Sequence, residues 1–217
     1  MNKITLGVSS YSSFLKISLT NGEKYLNYSQ KITNFEEVMF ERIKKMLKIL
    51  KCDFKDISKI CLVRGPGRFT GIRSSYAFAS VYTALSGCEV RGVDVFELLT
   101  YNVFEKDKRD KKIRTVLNAF KDEYYLADYE IKKEKIFLKA TPVWISKENL
   151  FKKMKGFDGI IITDNEDNPS VYDLFSEYKK ADLSLSKVIC ENIIKAANYF
   201  DKKDISPFYL KPAKFEL

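Results

Sequence analysis

The chain has 217 residues, 45% of them hydrophobic and 31% charged. That is the stock of a globular protein with one domain or two small lobes, and it excludes a disordered or fibrous chain. There is no His, which removes imidazole acid–base catalysis, Ser–His and Cys–His nucleophile pairs, and imidazole-bound metal. The net charge is +9, from 38 Lys+Arg against 29 Asp+Glu, and such a charge favours encounter with polyanions. Lys dominates and is mixed with acids along the whole chain, so an RNA-facing surface and an ordinary solvated Lys-rich surface stand as alternatives.

Residues 3–9 and 13–20 predict two strands, the second with a period near two. Asn21-Gly22 then signals a hairpin, because both residues tolerate positive φ, and 23–30 return as a third strand. Asn34 and Glu37 have capping-box spacing for a helix to about residue 51. Its apolar residues, among them Phe40, Ile43, Met46 and Leu47, spread over ~200°, where a one-sided helix needs little more than ~100°. Either the helix lies between two elements of its own domain, or it has core on one side and another subunit on the other. Residues 58–63 predict a fully apolar central strand.

RGPGRFTG follows. Gly65, Pro66 and Gly67 make a turn, and Thr70 is placed to cap the next helix, 71–86. That helix is crowded with small residues, Ala79, Ser80 and Thr83 among them, which let a neighbour approach closely, and Gly87 ends it. Residues 89–93 predict a strand and 94–104 a helix capped by Asp94. The charge run 105–112 reads as a linker, which divides the chain into lobes 1–104 and 113–217. The second lobe repeats the order: strands at 112–119, 123–131 and 134–140, a short helix opened by Ser146, a buried strand at 159–163, a helix at 170–178, and a helix from Ser184 to about Phe200. An extended tail closes it. Both halves thus read β-β-β-α-β-α, an α/β chain built by duplication.

The chemistry is sparse. The loop 65–71 is neither a P-loop nor a dinucleotide fingerprint; it is a tight turn with a helix cap, or a seat for an anion at a helix N-terminus. A phosphotransferase of this architecture needs an Asp where the first strand ends, but Ser9-Ser10 stand there, and Asn118 holds the matching place in the second half. The serines 9, 10, 12 and 13 have no readable base beside them and are the usual partners of backbone groups. Cys52, Cys61, Cys88 and Cys190 lack zinc-knuckle or redox spacing and read as reduced thiols. Tyr124, Tyr125 and Tyr129 lie near Lys121 and Lys132; half-buried sheet positions explain them, with stacking on RNA as the other reading. No catalytic residue and no metal site is expected. The first residues lack the h-region of a signal peptide and no stretch is long enough to span a bilayer, so a cytoplasmic protein without a membrane partner is expected.

GPGRFTGIR, Gly65–Arg73, resembles GPGSFTGLR, the signature of the TsaB (YeaZ) family. GVDVFELL (92–99) is similar to the family's GVSSLEAL, and SPFYLKP (206–212) to its P-x-Y-L-R. Residues 1–105 carry most of the likeness. Three places depart from the family: Ser9-Ser10-Tyr11 stand for Asp-Thr-Ser, Asn118-Ala119-Phe120 for Asp-Ala-Arg, and Arg68 for a Ser. The resemblance implies a duplicated, ribonuclease-H-like, actin-like fold, and a non-catalytic subunit of the machinery that makes threonylcarbamoyladenosine at position 37 of tRNAs. It implies pairing with a TsaD-type catalytic subunit, whose metal-binding His residues this chain lacks, and with a TsaE-type ATPase, self-association when alone, and tRNA contact through the complex. The three departures weigh against nucleotide held by the lobes themselves; no cofactor is expected, with a nucleotide between subunits left open. In that frame Phe40, Ile43, Met46, Leu47, Phe69, Arg73, Tyr76, Ala79, Ser80 and Thr83 are the expected partner interface. Gly65, Pro66, Gly67, Arg68, Phe69, Thr70 and Gly71 form the signature loop, with Phe69 filling an apolar site, Arg73 forming a pair, and Gly71 admitting a close neighbour.

Overall fold

The computed structural model describes residues 3–211; Pro212 and the rest of the tail expected to be extended lie outside the described residues. The chain divides into two units, residues 1–95 with 189–208, and 96–188 with 209–217.

In the first unit, β1 (Ile4–Ser9), β2 (Phe14–Thr20) and β3 (Tyr25–Lys31) are followed by α1 (Phe35–Ile49), β4 (Ile57–Val63), α2 (Phe69–Ser86) and β5 (Glu89–Val93). The sheet order is β3-β2-β1-β4-β5. β2 pairs antiparallel with β1 and with β3, the latter across the turn that holds Asn21-Gly22, and β4 and β5 join in parallel. Side chains alternate across the pleat. Ile4, Leu6 and Val8 of β1, Leu15, Ile17 and Leu19 of β2, and Ile60 and Leu62 of β4 form one core with α1 and with Phe78 and Ala79 of α2. The other face carries small and polar groups, with Gly7 against Ile193 and Ile194 of α5 (Cys190–Phe200). A helix bearing Ala196 and Ala197 settles there because little side-chain bulk keeps it off.

The second unit holds α3 (Val95–Lys106), β6 (Lys111–Phe120), β7 (Glu123–Lys132), β8 (Lys135–Ser146), α4 (Lys147–Met154) and β9 (Ile160–Ile162). Its order, β8-β7-β6-β9, repeats that of the first four strands of the first sheet, β3-β2-β1-β4, with two antiparallel joins and one parallel. Leu150 and Met154 of α4 pack with Val116, Leu126, Ile161 and the 3-10 segment Pro169–Phe175. Arg114 on β6 makes two bonds to the Asp128 carboxylate, at 2.6 and 2.8 Å, and donates to the Lys153 carbonyl, which ties α4 to the sheet.

Several expectations are corrected. The lobe boundary is not at 105–112: α3 belongs to the second unit, where Thr100 meets Thr115 at 3.2 Å and the Asn102 amide donates to the carbonyls of Leu185 and Lys187 at 2.8 Å. Residues 189–208 return to the first unit because α5 fits its small-residue face. The charge run is not a separate linker, since Lys106 ends α3 and Lys111 opens β6. Asn34 precedes α1 without a side-chain cap bond. Ser184 caps nothing; its N–H donates to Asp182, and α5 begins six residues later at Cys190. The helix expected at 170–178 is the 3-10 segment Pro169–Phe175. Ser146 does cap α4, accepting from the Asn149 N–H, and Gly87 closes α2 in the left-handed region.

Candidate functional site: the signature loop and the α1–α2 face

The loop between β4 and α2 is fixed from both sides within the first unit. The Gly65 carbonyl accepts from the Val95 N–H at 2.8 Å, and the Arg64 carbonyl accepts from the Phe208 N–H at 2.8 Å. The Arg64 guanidinium pairs with Asp204. Bonds from Ser206, with Arg64 nearby, hold the Asp204 carboxyl below its ordinary pKa. On the other side, the Arg68 N–H donates to the Tyr11 carbonyl at 2.6 Å, and Ser10 Oγ donates to the Gly71 carbonyl at 2.7 Å. A Cβ at Gly67 would overlap the Tyr11 carbonyl oxygen, and one at Gly71 would overlap that of Ser10. These two glycines are therefore fixed by backbone-to-backbone approach. Ser10 serves the loop, and Asn118 donates to the Lys121 carbonyl at 3.2 Å. Thr70 is not the cap of α2, which begins at Phe69 after Arg68 with no side-chain cap bond; the Thr70 carbonyl accepts from Ser74 Oγ at 2.9 Å. Phe69 is exposed and lies under the Arg73 guanidinium at 3.9 Å.

The residues expected on the partner face split in two. Ile43, Met46 and Leu47 of α1 and Ala79 of α2 point into the core of their own unit, so they present nothing to a partner. The wide arc of α1 arises because its residues meet both the sheet and α2. Phe40, Phe69, Arg73 and Tyr76 are exposed, and Ser80 and Thr83 are half-buried. Between α1 and α2 runs an apolar groove of about 440 Å3, lined by Met39, Phe40, Ala77, Phe78, Val81 and Leu85 among others. Phe40 is 52% exposed, Val81 60% and Leu85 84%. Isolated exposed apolar residues are ordinary, whereas a contiguous group beside a groove marks an interaction site. The spacing 77, 81, 85 was the available sequence signal: successive i, i+4 steps put these residues on one face of α2.

The groove is backed by packed aromatic rings. Phe40 meets the Phe78 ring edge-on at 5.1 Å and lies 6.4 Å from Phe54, while Tyr82 Oη donates to the Phe54 carbonyl. Burial pushes the Tyr82 phenol pKa up, so the hydroxyl keeps its proton and remains a donor. Of the tyrosines considered for RNA stacking, Tyr124 and Tyr129 are buried in the second unit and offer no ring to a base, and Tyr125 is half-buried. Among the described residues no three Cys, Asp or Glu side chains gather as a metal site, and no helix is long and apolar enough to cross a membrane.

Two sheets that share a four-strand order, each with helices on it, define the duplicated actin-like fold. YeaZ from Pseudomonas aeruginosa has this fold: it superposes with a TM-score of 0.77 over 96% of this chain and 100% of that one, at 16% identity. A second Pseudomonas aeruginosa structure, of a protein described as similar to peptidase YeaZ, gives a TM-score of 0.77 over the same shares at 14% identity. The family described as TsaD, tRNA N6-adenosine threonylcarbamoyltransferase, matches residues 29–202. Two curated relatives carry the name tRNA threonylcarbamoyladenosine biosynthesis protein TsaB. The one from Buchnera aphidicola of Schizaphis graminum is 31% identical over 87 residues, 40% of this chain and 41% of that protein. The one from Buchnera aphidicola of Acyrthosiphon pisum is 24% identical over 139 residues, 64% of this chain and 62% of that protein. Each match thus spans less than two thirds of the curated relative. The chain belongs to the family of the TsaD and TsaB (YeaZ) proteins.

Proposed function

We propose that this chain is a subunit of the tRNA threonylcarbamoyladenosine machinery that docks on a TsaD-type catalytic subunit and makes no bonds itself. The observation that carries this reading is the α1–α2 groove, where Phe40, Val81 and Leu85 stand exposed beside the buried Phe78 ring. The curated relatives named TsaB supply the pathway. The places where this architecture would need a carboxylate support a non-catalytic role. Ser9 is buried at the end of β1, Ser10 is spent on the Gly71 carbonyl, and Asn118 is bonded to its own hairpin.

The signature loop acts as a brace in this reading. By pinning the start of α2 to the β1–β2 turn, it sets where Val81 and Leu85 stand, about three and four turns further along. A TsaE-type ATPase joins the pair, tRNA is held by the assembled complex, and the chain works in the cytoplasm. Alone, it covers the same groove by self-association, and a nucleotide seat, where there is one, belongs to the interface between subunits. Co-purification with a TsaD-type subunit tests the proposal: a complex at micromolar concentration is expected, and its absence would overturn the docking. Appreciable ATP turnover by the isolated chain would overturn the non-catalytic role.

A further inference from the structure

The groove does not end in neutral surface. Past Phe40 on α1, Lys44 and Lys48 follow at i+4 and i+8, the spacing that keeps side chains on one stripe. Lys51 lies just beyond the helix end, and Lys55 stands on the 3-10 turn Phe54–Asp56. These four lysines are exposed and line a crevice of about 430 Å3. None of them makes an ion pair among the described residues. The two acids in the crevice are engaged with backbone: Asp53 accepts from the Phe54 N–H at 2.8 Å, and Asp56 from the Asp53 N–H at 2.8 Å. Their neighbour Lys45 is already paired with Glu41. Phe54 joins the two features, since its ring lies 6.4 Å from Phe40 and its carbonyl accepts from Tyr82 in the groove wall.

An apolar groove running into an unpaired lysine stripe is one surface with two chemistries. We infer that it fits a protein partner that places an apolar helix in the groove and a cluster of Asp or Glu side chains against Lys44, Lys48, Lys51 and Lys55. The inference rests on the docking proposed above and adds the partner's chemistry. A protein is favoured over a nucleic acid because a phosphate backbone has no use for the adjoining apolar groove, whereas mixed apolar and charged contact is the ordinary anatomy of a protein interface. Four free cations at the rim steer the encounter and exclude partners that present positive charge there; rim charges of this kind act chiefly on the association rate.

The test measures association and dissociation rates with a purified TsaD-type subunit across a salt series. The variants are Lys44→Glu/Lys48→Glu/Lys51→Glu, its milder form Lys44→Gln/Lys48→Gln/Lys51→Gln, the groove variant Leu85→Asp, and Lys152→Glu/Lys153→Glu as a change of sign in the second unit. The triple Glu variant should associate about 10-fold more slowly at low salt, with the difference fading as salt screens it and the dissociation rate little changed. The Gln variant should fall between, which separates lost attraction from any loss of helix stability, and the second-unit pair should match the unaltered chain. Rates unchanged by the triple variant, while Leu85→Asp still abolishes the complex, overturn the lysine stripe and leave the docking standing. An unchanged complex with Leu85→Asp overturns the docking itself. A triple variant that keeps its partner but loses retention of bulk tRNA shows the stripe to be a nucleic-acid contact and also overturns the inference.

Discussion

The two units are built on the same strand order, yet they dispose of their helices differently. In the second unit α4 has eight residues and directs Leu150 and Met154 inward, and the 3-10 segment after β9 buries Val171, Tyr172 and Phe175. In the first unit α1 and α2 have 15 and 18 residues, enough to cover the sheet and still leave Phe40, Val81 and Leu85 in solvent. The exposed apolar residues thus cluster on the two long helices, whereas the short α4 leaves Phe151 as a single one. A helix that outruns its own sheet's demand for cover has apolar surface left for another protein.

The tightest part of that arrangement gives the largest effect. Gly71→Val drives side-chain atoms into the Ser10 carbonyl, and nothing flexible can yield there. It should lower unfolding free energy by about 4 kcal/mol, or prevent folding, as read by urea melts. The second unit has its counterpart in Arg114. Arg114→Ala strands the Asp128 carboxylate and frees the Lys153 carbonyl, and should cost about 3 kcal/mol, while the groove of the first unit stays intact to a partner. Ala79→Leu sharpens the contrast between core and face. Ala79 is fully buried, so overpacking should cost about 2 kcal/mol in the isolated chain. Val81→Asp, two residues on, should move the melt by less than about 0.5 kcal/mol.

An effect confined to alkaline pH concerns Cys61, whose thiol is buried on β4 and pushed up to about 12 by that burial. It should resist thiol reagents until the chain unfolds. The unfolded thiol loses its proton near its ordinary value of 9.0, whereas the folded one holds it. Stability should therefore decline as pH rises above about 9. Cys61→Ala should flatten that slope in melts taken on either side of this pH.

Much of the fold is legible in the residues because local chemistry decides it. Asn21-Gly22 marks the turn between β2 and β3, Gly87 closes α2, Ser146 caps α4, and the alternation of Leu15, Ile17 and Leu19 gives the core face of β2. Three caps inferred from spacing fail. Asn34 and Thr70 have the right side chains, but the chain enters those helices without using them, and Asp182 builds its own turn before α5 can begin. The exchange of α3 and α5 between units depends on which sheet face offers room, which spacing along the chain does not encode. The candidate site is half legible. GPGRFTGIR locates the loop, but the arc of α1 counts apolar residues without saying which neighbour each meets. Ile43, Met46 and Leu47 went to the core, Phe40 is exposed as expected, and the exposed Val81 and Leu85 were missed.

The account turns on whether the α1–α2 groove is a docking face. The most direct measurement is the affinity of a TsaD-type subunit for the unaltered chain and for Leu85→Asp, with circular dichroism confirming that both are folded. A loss of about 100-fold or more is predicted for Leu85→Asp, the scale of a removed hot spot, with no change in melting. Equal affinity for two equally folded proteins would contradict the account.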